Sequence, residues 1–260
     1  MNVAWPVLYA VLVWWFATGA ILYLDGLPRH TFRASLGAAT VVLVGALYGL
    51  AVAGEEVSVR GAFAAFTCAV AVWGWMELSF LTGLVTGPRR AGCDAACGGL
   101  RHAGHAIEAI LYHEFAILAG AAAIVAVTWR APNQVGIGTF LVLWVMRSSA
   151  KLNLFLGVRN LGEAFLPDHL AYLQSFLRRR RMNPLFPISV LLGAMVVVLL
   201  AARVAAPTST PFQVTSGALI AALLALAVLE HGFMMLPLPT EALWRWGFRS
   251  RSASSTRPTV

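Results

Sequence analysis

The stretch GHAIEAILYHEF, residues 104–115, places His105, Glu108, His113 and Glu114 inside a run otherwise apolar enough to cross a bilayer. Imidazoles and carboxylates at this density can ligate a metal, relay protons or pair with buried cations. A charge near the membrane centre costs about 2.5–3.5 kcal/mol on insertion scales, so each must face protein, water, a cofactor or an opposite charge. Glu77, Arg147, Lys151, Glu230 and His231 occupy similarly apolar surroundings. Together with His105, Glu108 and His113 they form the candidate ligand or cofactor site.

Helical periodicity sorts these groups. At about 100° per residue, His102, His105, Glu108, Tyr112 and His113 share one side of their helix while Glu114 points the other way and needs a different neighbour. Arg147 and Lys151, four residues apart, share a face and would repel unless carboxylates stand opposite; Glu77 and Glu230 are the first partners expected for Lys151. Four carboxylates (Glu77, Glu108, Glu114, Glu230) against two cations leave a surplus that protonation, a charged imidazole or a bound cation would have to meet. The plain alternative is a set of interhelical ion pairs and hydrogen bonds that fixes packing.

Several chemistries can be weighed on spacing alone. A carboxylate-bridged di-iron centre requires Glu-x-x-His pairs, and no Glu here has a His three residues later. A retinal Schiff base would need a Lys on the last span, which has none. A metal held by Glu77, Glu108, His105 or His113, and Glu230 or His231 is a lesser alternative. Cys93, Cys97, His102 and His105 form C-x3-C-x4-H-x2-H, a zinc-type donor set. Its spacing matches no standard zinc module, and the expectation for cysteines in a cytosolic loop is plain thiols. His113 and His231 each follow an Ala by four residues, Ala109 and Ala227. This A-x-x-x-H arrangement suits a tetrapyrrole, whose metal takes one imidazole while the macrocycle lies on a flat helix surface.

The elements that position these groups follow from composition. With 59% hydrophobic residues, 12% charged residues and a mean hydropathy of +0.76, the chain departs from soluble domains, which carry about 25% charged residues. Its net charge of +8 therefore bears on membrane orientation rather than on nucleic acid. Apolar runs at about 3–24, 34–53, 62–86, 105–129, 136–157, 185–206 and 217–238 are each near the ~20 residues a span needs. An all-α, polytopic bundle of seven transmembrane helices over residues 1–247 is expected. Arg29, Arg33, Arg89, Arg90, Arg101, Arg159 and Arg178 to Arg181 lie in alternate connections, and Arg245, Arg249, Arg251 and Arg257 follow the last span; the opposite connections hold only Arg60 and Arg130. That asymmetry puts the N-terminus outside and the C-terminus in the cytoplasm. At ~1.5 Å per residue, Glu77, His113, Glu114, Arg147, Lys151, Glu230 and His231 then lie roughly 9–15 Å from the cytoplasmic ends of their spans. Pro167 and Asp168 resemble a helix start, and Leu170, Leu173, Phe176 and Leu177 share a face, so an amphipathic helix at about 167–178 is expected on the cytoplasmic leaflet. Residues 248–260 lack apolar periodicity and are expected to be disordered.

The stretches TGPRR (86–90), AILYHE (109–114), APNQVG (131–136), MRSSAKLNLFLGVRNL (146–161), EAFLPDHLAYL (163–173), RMNPLFPISV (181–190), LEHGFMMLPLP (229–239) and EALWRWG (241–247) add a further expectation. In them the chain resembles the photosynthetic complex assembly proteins of purple bacteria, the PuhE type, over nearly its whole length. The resemblance implies a multi-pass protein of the bacterial inner membrane that helps assemble the reaction centre and core antenna and influences bacteriochlorophyll production. Its implied partners are reaction-centre or core-antenna subunits, membrane lipid and bacteriochlorophyll; it carries over no catalytic residue. Combined with the residues, the leading reading is an assembly factor handling bacteriochlorophyll or a precursor. A membrane metalloenzyme acting on a tetrapyrrole intermediate and a proton-coupled carrier are the alternatives.

Overall fold

Seven long apolar helices account for most of the chain: α1 (Ala4–Asp25), α2 (Phe32–Gly54), α3 (Val59–Leu81), α4 (Gly99–Val127), α5 (Val135–Leu156), α6 (Leu185–Val204) and α7 (Pro211–Phe233). A computed structural model describes residues 3–94, 96–236 and 238–251. Each helix is long and apolar enough to cross a bilayer, and the protein is a multi-pass helical membrane protein.

The helices centre on α3, which packs against α1, α2, α4, α5 and α7. Ala62, Ala65 and Ala69 on α3 are buried with Phe66, Val72, Trp73 and Met76, and their small side chains let the neighbours approach closely. Two thirds of the most apolar window of α3 (67%) is buried, against 6% in α6, which rests on α7 at the periphery. Where lipid is as apolar as leucine, exposed leucines and valines on α6 carry no penalty.

Helix ends depart from the apolar runs wherever local chemistry intervenes. The run at 62–86 is helical only to Leu81, because Gly83 turns at φ +76° and the chain folds back over residues 82–90. The run at 217–238 starts six residues early, at Pro211, where Thr210 and Gln213 form a reciprocal capping box with Pro211 at the first helical position. Ser58 caps α3 by accepting from the Gly61 N–H at 3.0 Å.

The connection from α5 to α6 differs from the expected leaflet helix. Residues Asp168–Phe176 form a 3-10 helix, and Leu170, Leu173 and Phe176 bury against Phe80, Leu81 and Ala109 rather than facing lipid. His169 locks this lid in place by donating Nε2–H to the Leu81 carbonyl at the end of α3, 2.8 Å away. Burial holds the His169 imidazole below its usual range, with its bond to the Leu81 carbonyl acting the other way. The basic run that follows is partly tied to protein: Arg179 bonds both oxygens of Glu163, and Arg178 lies over the Phe155 ring.

The C-terminal segment is ordered further than expected. Trp15 donates to the Leu243 carbonyl and Trp244 donates to the Trp15 carbonyl, strapping residues 243–247 across α1. Of the tail expected to be disordered, residues 248–251 fold, and 252–260 lie outside the described residues. Arg251 reaches the fully buried side chain of Asp25 at 2.8 Å and also donates to the Ala164 and Phe165 carbonyls. Arg251→Ala should therefore release the strap and leave the Asp25 carboxylate without its cation. Limited proteolysis in detergent should show faster cleavage after Trp244, and adding Asp25→Asn should restore part of the protection.

Candidate functional site

The ionisable groups of α3, α4, α5 and α7 converge at the end of the bundle that carries the arginine-rich connections. α5 supplies both cations, one turn apart, and packing sends them to different neighbours. Arg147 donates to Glu77 of α3 at 3.0 Å, whereas Lys151 donates to Glu114 of α4 at 2.5 Å. Lys151 therefore pairs with neither Glu77 nor Glu230. The opposed direction of Glu114 on its helix, which called for a separate neighbour, is met by Lys151. Ion pairs in so apolar a setting hold their helices in one register, because sliding either helix would strand a charge.

Glu230 of α7 is exposed on the bundle surface and accepts the Trp14 indole N–H of α1 at 2.8 Å, within electrostatic reach of Arg147 and Glu77. Glu108 also faces outward, on the same exposed strip of α4 as Tyr112. The surplus of two carboxylates thus resides on the surface rather than in a closed chamber. Arg147 keeps 45% of its side chain exposed while bonded to Glu77, so Arg147 and Glu230 present polar atoms at a surface formed by apolar helices.

Both histidines expected to ligate a tetrapyrrole are buried at 1% exposure. His231 has each ring nitrogen engaged: Nδ1–H donates to the Ala227 carbonyl at 2.9 Å, which leaves Nε2 to accept the Ser149 hydroxyl at 2.9 Å. Ala227, one turn before His231, thus supplies a backbone acceptor. His113 packs against Phe80 with ring centroids 4.5 Å apart. Ala109 is fully buried, packed with Phe80, Leu81 and the Asp168–Phe176 helix while Gly87 lies against its backbone, so the flat surface implied by A-x-x-x-H is already covered. A Cβ on Gly87 would lie 1.9 Å from the Glu108 carbonyl oxygen, and the His113 N–H, which ordinarily bonds the Ala109 carbonyl, has the Thr86 carbonyl as acceptor at 2.9 Å. Loop backbone therefore enters the middle of α4, a contact only glycine permits.

A family model for a protein of unknown function, DUF3623, matches residues 1–255. The chain belongs to the DUF3623 family. An uncharacterized 30.4 kDa protein in the puhA 5′ region of Rhodobacter capsulatus is 40% identical to this DUF3623 chain over 253 residues, covering 95% of the chain and 91% of the relative. No solved structure matches.

Sequence reasoning missed several polar residues of this DUF3623 bundle. Asn153 donates to the Ser149 carbonyl and to the Ser189 hydroxyl, and Asn183 joins it from the start of α6, so a polar network runs from His231 through Ser149 to the α5–α6 junction. Asp25 lies at the last turn of α1, where a lone carboxylate closing an apolar run was the available signal. His105 stands apart from the charged cluster: its Nδ1 is 3.2 Å from Cys93 Sγ and 3.4 Å from Cys97 Sγ. The expected site thus divides into an inter-helix cluster (Glu77, Glu114, Arg147, Lys151, His113), the surface Glu230 bonded to Trp14, the satisfied His231, the outward Glu108, and His105 beside the two cysteines.

Proposed function

We propose that this chain is a membrane-embedded assembly factor for the photosynthetic reaction centre and its core antenna, and that it handles bacteriochlorophyll or a nascent pigment-protein subunit at the arginine-rich, cytoplasmic end of the bundle. The observation that carries this reading is the end-to-end relationship to a protein in the puhA 5′ region. The geometry supports a place for that contact. His113 and His231 are enclosed or satisfied, so the groups available to a guest are Arg147 and Glu230 on the bundle surface, with Glu108 and Tyr112 on α4. Polar atoms offered at membrane depth favour a guest helix or pigment that brings its own polar group to that depth.

Deleting the gene from a phototrophic host should lower the amount of assembled core complex in isolated membranes while bacteriochlorophyll is still synthesised. The native absorption bands of the membranes measure the first and chromatography of extracted pigment the second. Complementation with an Arg147→Gln/Glu230→Gln variant that inserts normally should restore assembly only in part. Unchanged core-complex levels would refute the proposal. Loss of mature pigment with one accumulated precursor would instead favour an enzyme of the pigment pathway.

A further inference from the structure

A second cluster lies outside the charged site, at the junction of the α3–α4 loop with the first turns of α4. The loop brings Cys93 and Cys97 together with Sγ atoms 3.0 Å apart, and both are free thiols. His102 and His105, three residues apart, share one side of α4 and face this loop; Nδ1 of His105 is 3.2 and 3.4 Å from the two sulfurs. A ligand atom of His102 lies with both sulfurs inside a 4.8 Å span. Around a tetrahedral zinc ion, with Zn–S near 2.3 Å and Zn–N near 2.0–2.1 Å, neighbouring donors stand about 3.4–3.8 Å apart. The two sulfurs and His105 Nδ1 already stand 3.0–3.4 Å apart, and His102 offers a fourth donor within 4.8 Å of both sulfurs.

His102 supplies an independent sign. Its residue is only 5% exposed, and its ring stacks on Phe155 at 5.5 Å and packs against Phe176 at 5.6 Å. Neither ring nitrogen has a hydrogen-bond partner among the described residues. A buried imidazole needs an acceptor for its N–H and a donor for its lone pair, and leaving either unmet costs about 1–3 kcal/mol. A metal ion takes the lone pair directly. The loop is also held in shape from outside the cluster: the Ser175 hydroxyl accepts the Cys93 N–H at 2.9 Å, and Arg89 donates to the Ala91 and Gly92 carbonyls.

We propose that Cys93, Cys97, His102 and His105 bind one zinc ion as a closed Cys2His2 site that clamps to α4 the α3–α4 loop, which Ser175 ties to the 3-10 helix Asp168–Phe176. Two thiolates and two neutral imidazoles complete the tetrahedron, so binding releases the two thiol protons to solvent and involves no redox change. Four protein ligands leave no open position for water, which makes the site structural rather than hydrolytic. Soft sulfur with imidazole selects zinc over magnesium or calcium. The clamp holds down the same loop whose Thr86 and Gly87 enter α4 beside His113, and so links the cytoplasmic connections to the charged cluster.

Full-length protein purified in detergent under reducing conditions, without chelators, should carry one zinc per chain by elemental analysis. After removal of that zinc, titration of the wild type with cobalt(II) should produce thiolate charge-transfer and intense visible d–d bands that saturate at one equivalent. Cys93→Ser/Cys97→Ser should lose both signals. His102→Gln, which keeps both thiols, should lose the tetrahedral d–d bands even if the double cysteine variant fails to insert. Reduced wild type with neither zinc nor a cobalt spectrum would overturn the site, as would metal content unchanged in both variants. A Cys93–Cys97 disulfide in protein isolated with thiol trapping, without zinc, would assign the pair to a crosslink instead.

Discussion

Lys151→Met is expected to destabilise the protein by about 2–4 kcal/mol, because it leaves Glu114 as an uncompensated carboxylate in an apolar bundle. Removing one member of a fully buried pair typically costs about 3–5 kcal/mol. The lower range applies here since the Lys151 and Glu114 side chains retain 25% and 31% exposure. Methionine preserves the stem length and the contacts of the methylene chain, so the loss reports the charge. The decisive comparison is among double variants. Lys151→Met/Glu114→Gln should recover most of the loss, whereas Lys151→Met/Glu77→Gln should be worse than Lys151→Met alone, because it breaks the Arg147 pair as well. Thermal unfolding in detergent measures all three. Equal rescue by Glu77→Gln and Glu114→Gln would show a shared pool of charge in place of two specific pairs.

Asn183→Ala should cost a similar amount, about 2–4 kcal/mol, through a different mechanism. One buried side chain, 3% exposed, serves two helix ends at once. Its Oδ1 accepts the Leu185 and Phe186 N–H groups at the start of α6, at 2.9 and 3.1 Å. Its Nδ2 donates to the Asn153 and Gly157 carbonyls at the end of α5, at 3.2 and 2.9 Å. Alanine removes the side-chain cap of α6 and takes the Asn183 donor from the Gly157 carbonyl at the end of α5, while the Asn153 carbonyl keeps the Gly157 N–H. Asn183→Asp separates the two halves: it keeps the acceptor for α6 but turns a donor toward the α5 carbonyls into a second acceptor. It should therefore be no more stable than Asn183→Ala. Wild-type stability in Asn183→Asp would mean that the α6 cap alone matters. Asn133 performs the matching task at the opposite end of the bundle, bonding the Ala53 carbonyl of α2 and accepting the Val135 N–H of α5.

Composition and hydropathy suffice for the seven apolar helices, since a bilayer demands length and apolarity of each segment separately. Apolar length alone misplaced two ends: Thr210, Pro211 and Gln213 start α7 before the run at 217–238, and Gly83 and Gly87 stop the run at 62–86 from staying helical to its end. The intramembrane charges and the C-x3-C-x4-H-x2-H donors were visible as residue types. Their partners were not. Periodicity gives the direction of a side chain around its own helix and its depth along it, but it does not say which neighbour stands in that direction. Only the packing of α5 between α3 and α4 sends Arg147 to Glu77 and Lys151 to Glu114, although the two cations share a face. In the same way the packing of Gly87 onto the α4 backbone at Ala109 helps enclose His113, whose Nδ1 has no hydrogen-bond partner among the described residues. The meeting of α5 with α7 gives Ser149 to His231, so one of the two histidines suited by spacing to a tetrapyrrole is enclosed and the other is satisfied within the protein. Residue type and spacing are properties of one segment, while a free or satisfied nitrogen is a property of the segments around it.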